Sequence, residues 1–321
     1  MRGPAVHCRT GGLVRKKPVI IAAAAAVAVV VALVAASVGG FGPSSPMKQA
    51  TATSSARPTA RTTPAATQTP TATQTPAAAY TPLTATALAA LPEAMYDAVI
   101  PGLLPSTITT IPAAATSSYT LTADAPLFGA GQQTAVARLA KLNFMQLPTI
   151  VVPVQTSGTW SLVLTPARQQ LPSKDGGVAA AQTAGWIPTS FLVKADTLTQ
   201  YLTVSVSQQK VSIVNADGSV VASFPAGVGA ADTPTPTNVV GYLQARYLDP
   251  KQNQTVYPIQ LASLHSSAAD EPYGGNDGGL IGVHYNPVAT GDVSHGCVRL
   301  AKDAITAVNK LPLGTLITIV L

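Results

Sequence analysis

A cysteine and two histidines lie close together near the end of the sequence, in the stretch IGVHYNPVATGDVSHGCVRL (281–300). The chain has only two cysteines and four histidines in 321 residues, so the clustering of His284, His295 and Cys297 is unusual. A thiol becomes a nucleophile when a nearby base produces the thiolate. It also needs backbone N–H donors that stabilise the oxyanion formed in the reaction. The stretch therefore holds the residue types for acyl transfer by a cysteine.

The residues alone leave the choice of base open. His295 lies two positions before Cys297, and in an extended segment such side chains share a face. His284 ends the apolar stretch LIGVH, where a strand would present it at its tip. Gly296 permits a tight turn, so that the amides of Gly296 and Cys297 can point at one developing oxygen. Either histidine can therefore be the base for the Cys297 thiol.

Other interpretations of these residues also stand. Cys297 and the histidines can be buried structural residues. A zinc site would take His265, His284, His295 and Cys297, although no pair has the C-x-x-C or H-x-x-x-H spacing. A nucleophile at Ser294 would lack the G-x-S-x-G context. A redox role through an intermolecular disulfide is a further alternative, because no other cysteine follows position 8.

The motifs IGVH and SHGCVRL together resemble the catalytic signature of the L,D-transpeptidases (YkuD type), cysteine enzymes that cross-link peptidoglycan. The resemblance covers about residues 198–321. It includes VSVSQQKVSIVNADGSVVASFPAGVG, the Thr-Pro-rich DTPTPT, and the stretch YPIQLASLHSSAADEPYGGNDGGLIGVH that leads into His284. The resemblance implies a mainly β chain whose C-terminal domain is a β-sandwich or barrel. It also implies that neither a metal nor an organic cofactor is needed.

The resemblance implies a role for each residue of the motif. Cys297 is the nucleophile and His284 the general base, oriented by the backbone carbonyl of Tyr285. The amides of Gly296 and Cys297 form the oxyanion hole. The implied substrate-binding residues are Ser294 and His295, which shape the loop, and Arg299, which meets a substrate carboxylate.

The implied reaction has two acyl transfers between peptidoglycan stem peptides. Cys297 attacks the carbonyl of the third residue of a tetrapeptide stem and releases the terminal D-alanine. The side-chain amine of a second stem then takes the thioester, which gives a 3→3 link. With water as acceptor the enzyme is an L,D-carboxypeptidase, and with a protein amine it anchors proteins to the wall. Carbapenems are the expected covalent inhibitors, and a wall-binding protein with an inactive fold is the non-enzymatic alternative.

The chain departs from the family pattern directly after the base. Many members have H-G-T there, whereas this chain has Tyr285 and Asn286, and only nine residues separate His284 from Ser294. We expect the shorter loop to affect rate and acceptor preference. Tyr285 is also expected to crowd the thiol.

The alternating apolar pattern predicts two β-rich domains. Residues 86–116 are expected to form a short helical or irregular lead-in, and residues 117–195 a small SH3-like β-barrel that ends in GWIPTSFL and contacts wall glycan or peptide. Trp160 and Trp186 are expected in its core or hydrophobic edge. Residues 196–321 form the catalytic domain, with a hairpin at NADGS, and a helix, turn and strand at the C-terminus.

The N-terminal residues predict a membrane-anchored protein. We expect a cytoplasmic tail at 1–17, a transmembrane anchor or signal segment at 18–40, and a disordered Thr/Pro/Ala-rich linker at 41–85. The basic residues at 15–17 place the catalytic domain outside the bacterial membrane. All 13 acidic residues and 11 of the 19 basic ones lie from Leu91 onward, so a nucleic-acid-binding surface is not expected.

Overall fold

The structure is a computed structural model that describes residues 79–248, 256–270 and 279–321. The predicted cytoplasmic tail, the membrane segment at 18–40 and most of the linker at 41–85 lie outside these residues. Within the described ranges, none of the helices has both the length and the apolar character needed to cross a bilayer.

The N-terminal module is built from short strands, as its alternating sequence predicts. Its one α-helix, α1, spans Ala85–Ala89, where the side chain of Thr84 caps the first turn. The strands are β1 (Leu104–Pro105), β2 (Ser117–Leu121), β3 (Ala125–Phe128), β4 (Ala135–Leu139), β5 (Pro153–Ser157), β6 (Trp160–Thr165), β7 (Thr183–Pro188) and β8 (Leu192–Thr197). The alternating stretches of this module therefore form short strands.

The pairing of these strands differs from a closed barrel. One sheet has the order β4-β3-β7-β6-β5, with β1 also paired to β7, and β2 pairs with β8 in a second sheet. Among the described residues β4 and β5 are not paired with each other, so the larger sheet is open. The likeness to an SH3 module stays a prediction. Trp160 and Trp186 are both buried, as expected for core residues.

The lead-in at 86–116 belongs to this module more closely than the sequence indicates. Ala94, Ile100 and Leu103 pack in the same apolar cluster as Leu127, Val163 and other strand residues. A fully buried aliphatic side chain contributes roughly 1.5–3 kcal/mol relative to an exposed one. The lead-in is therefore part of the module core.

The C-terminal domain carries the remaining strands and a second helix. They are β9 (Gln200–Ser205), β10 (Lys210–Asn215), β11 (Val220–Gly229), β12 (Val239–Tyr247), β13 (Ile259–His265), β14 (Leu280–Tyr285), β15 (Gly291–Ser294), β16 (Val298–Leu300), α2 (Lys302–Val308) and β17 (Leu316–Val320). The predicted hairpin at NADGS and the closing helix, turn and strand are confirmed.

Two long strands close this domain into a barrel-like sandwich. The sheet order is β10-β9-β17-β12-β13-β14-β16-β11-β15, and β10 also pairs with β11. The first part of β11 pairs with β10 and its end pairs with β16 and β15. β12 joins β17 to β13 in the same way. The predicted β-sandwich or barrel is confirmed, and its interior is filled by the apolar faces of these strands and of α2.

The module and the C-terminal domain share apolar clusters. One of them joins residues of β5, β6 and β7 to residues of β12 and β17, and its buried members include Val154, Leu164, Ala184, Val240, Tyr242 and Leu316. Because burial of such side chains stabilises the folded state on both sides, the module supports the sheet that carries the candidate site.

Candidate active site

The strands β14 and β16 bring the two motifs of the sequence together. They run parallel, with Val283 opposite Val298 and His284 opposite Arg299. Cys297 directly precedes β16, and the N–H of Gly282 in β14 donates a hydrogen bond to its Sγ at 3.4 Å. The thiol therefore lies beside the strand that ends with His284.

His284 is oriented by the main chain. Its side chain is 2% exposed, and its Nδ1 lies 2.9 Å from the carbonyl oxygen of Tyr285. A carbonyl oxygen only accepts hydrogen bonds, so Nδ1 carries the proton in the neutral ring. The other ring atom, Nε2, is buried and has no hydrogen-bond partner among the described residues. Nε2 is thus the ring atom that can accept a proton.

This geometry separates the two histidines that the residues alone left equal. His284 has a fixed tautomer and a ring nitrogen that can act as a base. His295 is half-buried in the turn before Cys297. The contact between His284 and the Tyr285 carbonyl is the arrangement that the family resemblance implies. The catalytic roles of both residues stay predictions.

The turn before Cys297 depends on Gly296 and Ser294. Gly296 has φ +109°, a conformation that L side chains rarely adopt, and a Cβ there would lie 3.1 Å from Ile281 Cδ1. Ser294 Oγ donates to the carbonyl oxygen of Cys297 at 2.6 Å and accepts from the N–H of Gly296 at 3.2 Å. The Gly296 amide, predicted as an oxyanion donor, is directed at Ser294 in this structure.

A second loop holds the same turn. Thr235 is buried, and its Oγ1 accepts from the N–H of Gly229 at 2.9 Å and donates to the carbonyl oxygen of Gly296 at 2.8 Å. The N–H of Ala230 donates to the carbonyl oxygen of Ser294 at 2.8 Å. Thr235 lies in the stretch DTPTPT, for which the family resemblance implies no role of this residue. No local pattern indicates this contact, because it joins residues that are far apart in the chain.

Two neighbouring side chains lie deeper than the sequence indicates. Arg299, expected to meet a substrate carboxylate, is 2% exposed and lies opposite His284 in the ladder. The ring of Tyr285 lies 5.1 Å from that of Tyr257, and both rings pack against the core of the C-terminal domain. Crowding of the thiol by Tyr285 stays a prediction.

Cys297 belongs to an apolar cluster that includes residues of the N-terminal module. Its side chain is 0% exposed. The buried members around it are Tyr96, Ala245, Ile259, Leu261 and Leu280, with Met95, Phe144, Met145 and Tyr247 packed against them. The sulfur is therefore covered in this structure.

His265, the remaining histidine of the considered zinc set, has a structural partner. Its Nε2 lies 2.8 Å from the carbonyl oxygen of Tyr96. Burial, together with the nearby charge of Arg168, lowers its pKa to about 3, so the ring is neutral and donates this hydrogen bond. Over residues 79–248, 256–270 and 279–321 there is no group of three or more His, Cys, Asp or Glu side chains placed to hold a metal ion.

Comparison with known proteins supports the family resemblance. Residues 199–319 match the family model of the L,D-transpeptidase catalytic domain, YkuD. The resemblance drawn from the motifs is therefore confirmed for this part of the chain. No curated protein matches the chain.

Solved structures of L,D-transpeptidases are similar to the chain at low identity. An L,D-transpeptidase from Mycobacterium smegmatis has 16% identity and a TM-score of 0.30, over 50% of this chain and 92% of that one. An L,D-transpeptidase in complex with imipenem has 15% identity and a TM-score of 0.31, over 54% and 91%. The carbamoyl enzyme that Ldtfm forms with avibactam has 22% identity and a TM-score of 0.28, over 40% of this chain and 52% of that one. The match thus spans about half of the Ldtfm chain.

Proposed function

We propose that this protein is a peptidoglycan L,D-transpeptidase that forms 3→3 cross-links through a thioester on Cys297. The observation that carries the proposal is the state of His284. Its Nδ1 is held by the Tyr285 carbonyl and its Nε2 has no partner among the described residues, on the strand beside the thiol. This arrangement lies in the part of the chain that matches the catalytic domain of the family.

In the first step His284 Nε2 takes the proton of the Cys297 thiol as Sγ attacks the carbonyl carbon of the donor's third residue. The C–N bond to the terminal D-alanine breaks, and the leaving amine receives the proton from His284. In the second step the amine of an acceptor stem loses a proton to Nε2 and attacks the thioester. The new amide forms and the thiol leaves with that proton, so the enzyme is restored.

The oxyanion of each step needs donors beside Cys297. The amides of Gly296 and Cys297 are assigned to this task, and Ser294 Oγ holds the Gly296 amide before substrate arrives. The tetrahedral oxygen then takes the place of Ser294 Oγ as acceptor. Arg299, beside the base in the ladder, is assigned to a carboxylate of the donor.

The acceptor decides between three outcomes of the same thioester. A stem-peptide amine gives the cross-link, water gives an L,D-carboxypeptidase, and a protein amine gives an anchored protein. A wall-binding protein without turnover is the second candidate, and the complete burial of Cys297 favours it. The buried, pre-oriented His284 favours the enzyme, because a binding protein has no use for a ring nitrogen kept without a partner.

The proposed location is the outer side of a bacterial membrane. Residues 18–40 serve as a single-pass anchor, supported by their apolar composition and by the basic residues before them. The linker at 41–85 carries the folded part toward the wall. The module at 117–195 contributes contact with wall glycan or peptide.

Covalent labelling with imipenem tests the thioester chemistry, since one similar structure holds this compound. The full-length protein in detergent is incubated with imipenem and its intact mass is measured. We expect one added imipenem mass, located on Cys297 by peptide mapping and missing in Cys297→Ala. No adduct on the wild-type protein, or an adduct that persists in Cys297→Ala, would contradict the assignment of the nucleophile.

A further inference from the structure

We propose that Arg168, in the N-terminal module, is a positioning residue for the active site. It fixes both ends of the connection between β13 and β14, and thereby the strand that carries His284. The effect on turnover rests on the proposed function, whereas the effect on strand β14 does not.

The backbone of Arg168 is anchored in the module. Its N–H donates to the carbonyl oxygen of Ala98 at 2.9 Å, and its own carbonyl oxygen accepts from the N–H of Ile100 at 2.9 Å. The residue is 2% exposed. A buried guanidinium is costly unless acceptors surround it, so the position of its partners is tightly specified.

The guanidinium holds the segment that follows β13. Its Nη1 donates to the carbonyl oxygen of Ser266 at 3.1 Å, and its Nη2 donates to those of Ala269 at 3.3 Å and Asp270 at 3.0 Å. These acceptors lie in the C-terminal domain, about a hundred positions further along the chain. One module side chain thus donates to three carbonyl oxygens of residues 266–270, the first stem of the connection.

The same guanidinium contacts the segment that leads into β14. A Cβ on Gly279 would lie 1.9 Å from Nη2 of Arg168, so the side chain packs directly against the Gly279 backbone. Gly279 has φ +68°, and its carbonyl oxygen accepts from the N–H of Ser266 at 2.7 Å. Arg168 therefore contacts both the segment after β13 and the residue before β14. These two parts of the connection also bind each other through Ser266 and Gly279.

Strand β14 carries this constraint to the site. It begins at Leu280, directly after Gly279, and contains Gly282, whose N–H donates to Cys297 Sγ, and His284. An extended strand is stiff and rises about 3.3 Å per residue, so a shift at its start moves the residues within it. A misplacement of about 1 Å at a reacting group can slow a reaction roughly 100-fold.

Backbone N–H groups of two other module residues also bind the segment that follows β13. The N–H of Ser173 donates to Asp270 Oδ1 at 2.8 Å, and the N–H of Ala179 donates to the carbonyl oxygen of Ser267 at 2.9 Å. These contacts involve only the stem after β13. Arg168 differs from them because its guanidinium also packs on Gly279 and so reaches β14.

The test compares Arg168→Met with Arg138→Met in the full-length protein. Arg138 lies in the same module, and its guanidinium pairs with Glu93 at 2.7 Å and Asp124 at 3.0 Å, outside the C-terminal domain. Hydrogen exchange is followed for peptides that cover 280–285 and 200–215, and D-alanine release from a tetrapeptide stem gives kcat and KM.

We expect amides of 280–285 in Arg168→Met to exchange at least about tenfold faster, with 200–215 unchanged, because a contact is lost at one end of β14 only. We expect kcat to fall about 10- to 100-fold with KM changed less than about threefold. Arg168→Lys, which keeps the charge, should recover part of both effects. Arg138→Met should leave β14 exchange and kcat as in the wild type.

Unchanged hydrogen exchange of β14 in a folded Arg168→Met variant would overturn the proposal. Equally faster exchange of β14 in Arg138→Met would also overturn it. If Arg168→Met does not fold, Arg168→Lys decides, and wild-type exchange and kcat in that variant would overturn it. A wild-type protein that releases no D-alanine contradicts the proposed function alone, since the exchange comparison still decides the role of Arg168.

Discussion

The Nδ1–H of His284 donates a hydrogen bond of 2.9 Å to the carbonyl oxygen of Tyr285, the next residue in the chain. A backbone carbonyl cannot take the proton, so it fixes the tautomer without acting as an acid or a base. The ring is thereby prepared to accept a proton at Nε2. A peptide group does the task that a carboxylate performs in a Ser-His-Asp triad.

Replacement of the two buried histidines should separate catalysis from stability. In His284→Ala we expect acylation of Cys297 to slow about 10²- to 10⁴-fold, the usual contribution of a general base. His265→Ala removes a buried hydrogen bond to Tyr96 and should lower the free energy of unfolding by about 1–3 kcal/mol. Its acylation rate per folded molecule should stay within a few-fold of the wild type. Equal losses of acylation in the two variants would count against His284 as the base.

Thr235 should stabilise the turn through its hydroxyl group. Thr235→Val keeps the shape of the side chain but leaves the N–H of Gly229 and the carbonyl oxygen of Gly296 without this partner. We expect the free energy of unfolding to fall by about 1–3 kcal/mol and acylation to slow. Thr235→Ser, which keeps the hydroxyl, is the matched control. Chemical denaturation measures the first effect and imipenem labelling the second. A valine variant with the stability and acylation rate of the wild type would show that the Thr235 hydroxyl does not hold the turn.

Gly296 should tolerate no side chain. In Gly296→Ala a Cβ is added to a residue with φ +109° and lies 3.1 Å from Ile281 Cδ1. We therefore expect the free energy of unfolding to fall by about 1–3 kcal/mol and acylation to be at least about tenfold slower. Gly131→Ala is the control, because a Cβ there has nothing within 4 Å. Thermal unfolding and labelling rates check the pair. A Gly296→Ala variant with wild-type acylation would show that the turn needs no glycine.

The protein should become less stable as the pH decreases, because of His265. Its pKa is lowered from 6.5 to about 3 in the folded protein, chiefly by burial. Below about pH 6.5 the unfolded chain binds a proton that the native state does not, so stability decreases as the pH falls toward 3. The slope from this group is at most about 1.4 kcal/mol per pH unit.

Comparison of the wild type with His265→Gln isolates this contribution, since glutamine keeps an N–H donor for the Tyr96 carbonyl. We expect the denaturation free energy of the variant to vary less with pH between about 3 and 6.5. The same pH dependence in both proteins would show that His265 is not the group responsible.

The parts of the fold that follow from local pattern were predicted from the sequence. The hairpin of β10 and β11 and the final α2, turn and β17 each depend on alternation and turn residues within one stretch. The candidate site was predicted because His284 and Cys297 lie in two short motifs. His284 lies in β14 and Cys297 directly precedes β16, and these two strands pair in parallel.

Features that depend on distant contacts could not be predicted. Arg168 had no recognisable motif, and its partners at 266–270 are defined only by the packing of the module on the C-terminal domain. The burial of Arg299 and the packing of Tyr285 on Tyr257 have the same origin. Tertiary contacts decide which face of a strand is covered, so the burial of Arg299 could not be predicted from its charge.

The proposed cross-linking activity is tested most directly with a disaccharide-tetrapeptide. The full-length protein in detergent and its Cys297→Ala variant are incubated with this substrate, and the products are identified by tandem mass spectrometry. We expect a 3→3 linked dimer and free D-alanine with the wild type and neither with the variant. Tripeptide without dimer would contradict transpeptidation in favour of hydrolysis, and unchanged substrate would contradict the enzymatic account in favour of a wall-binding protein.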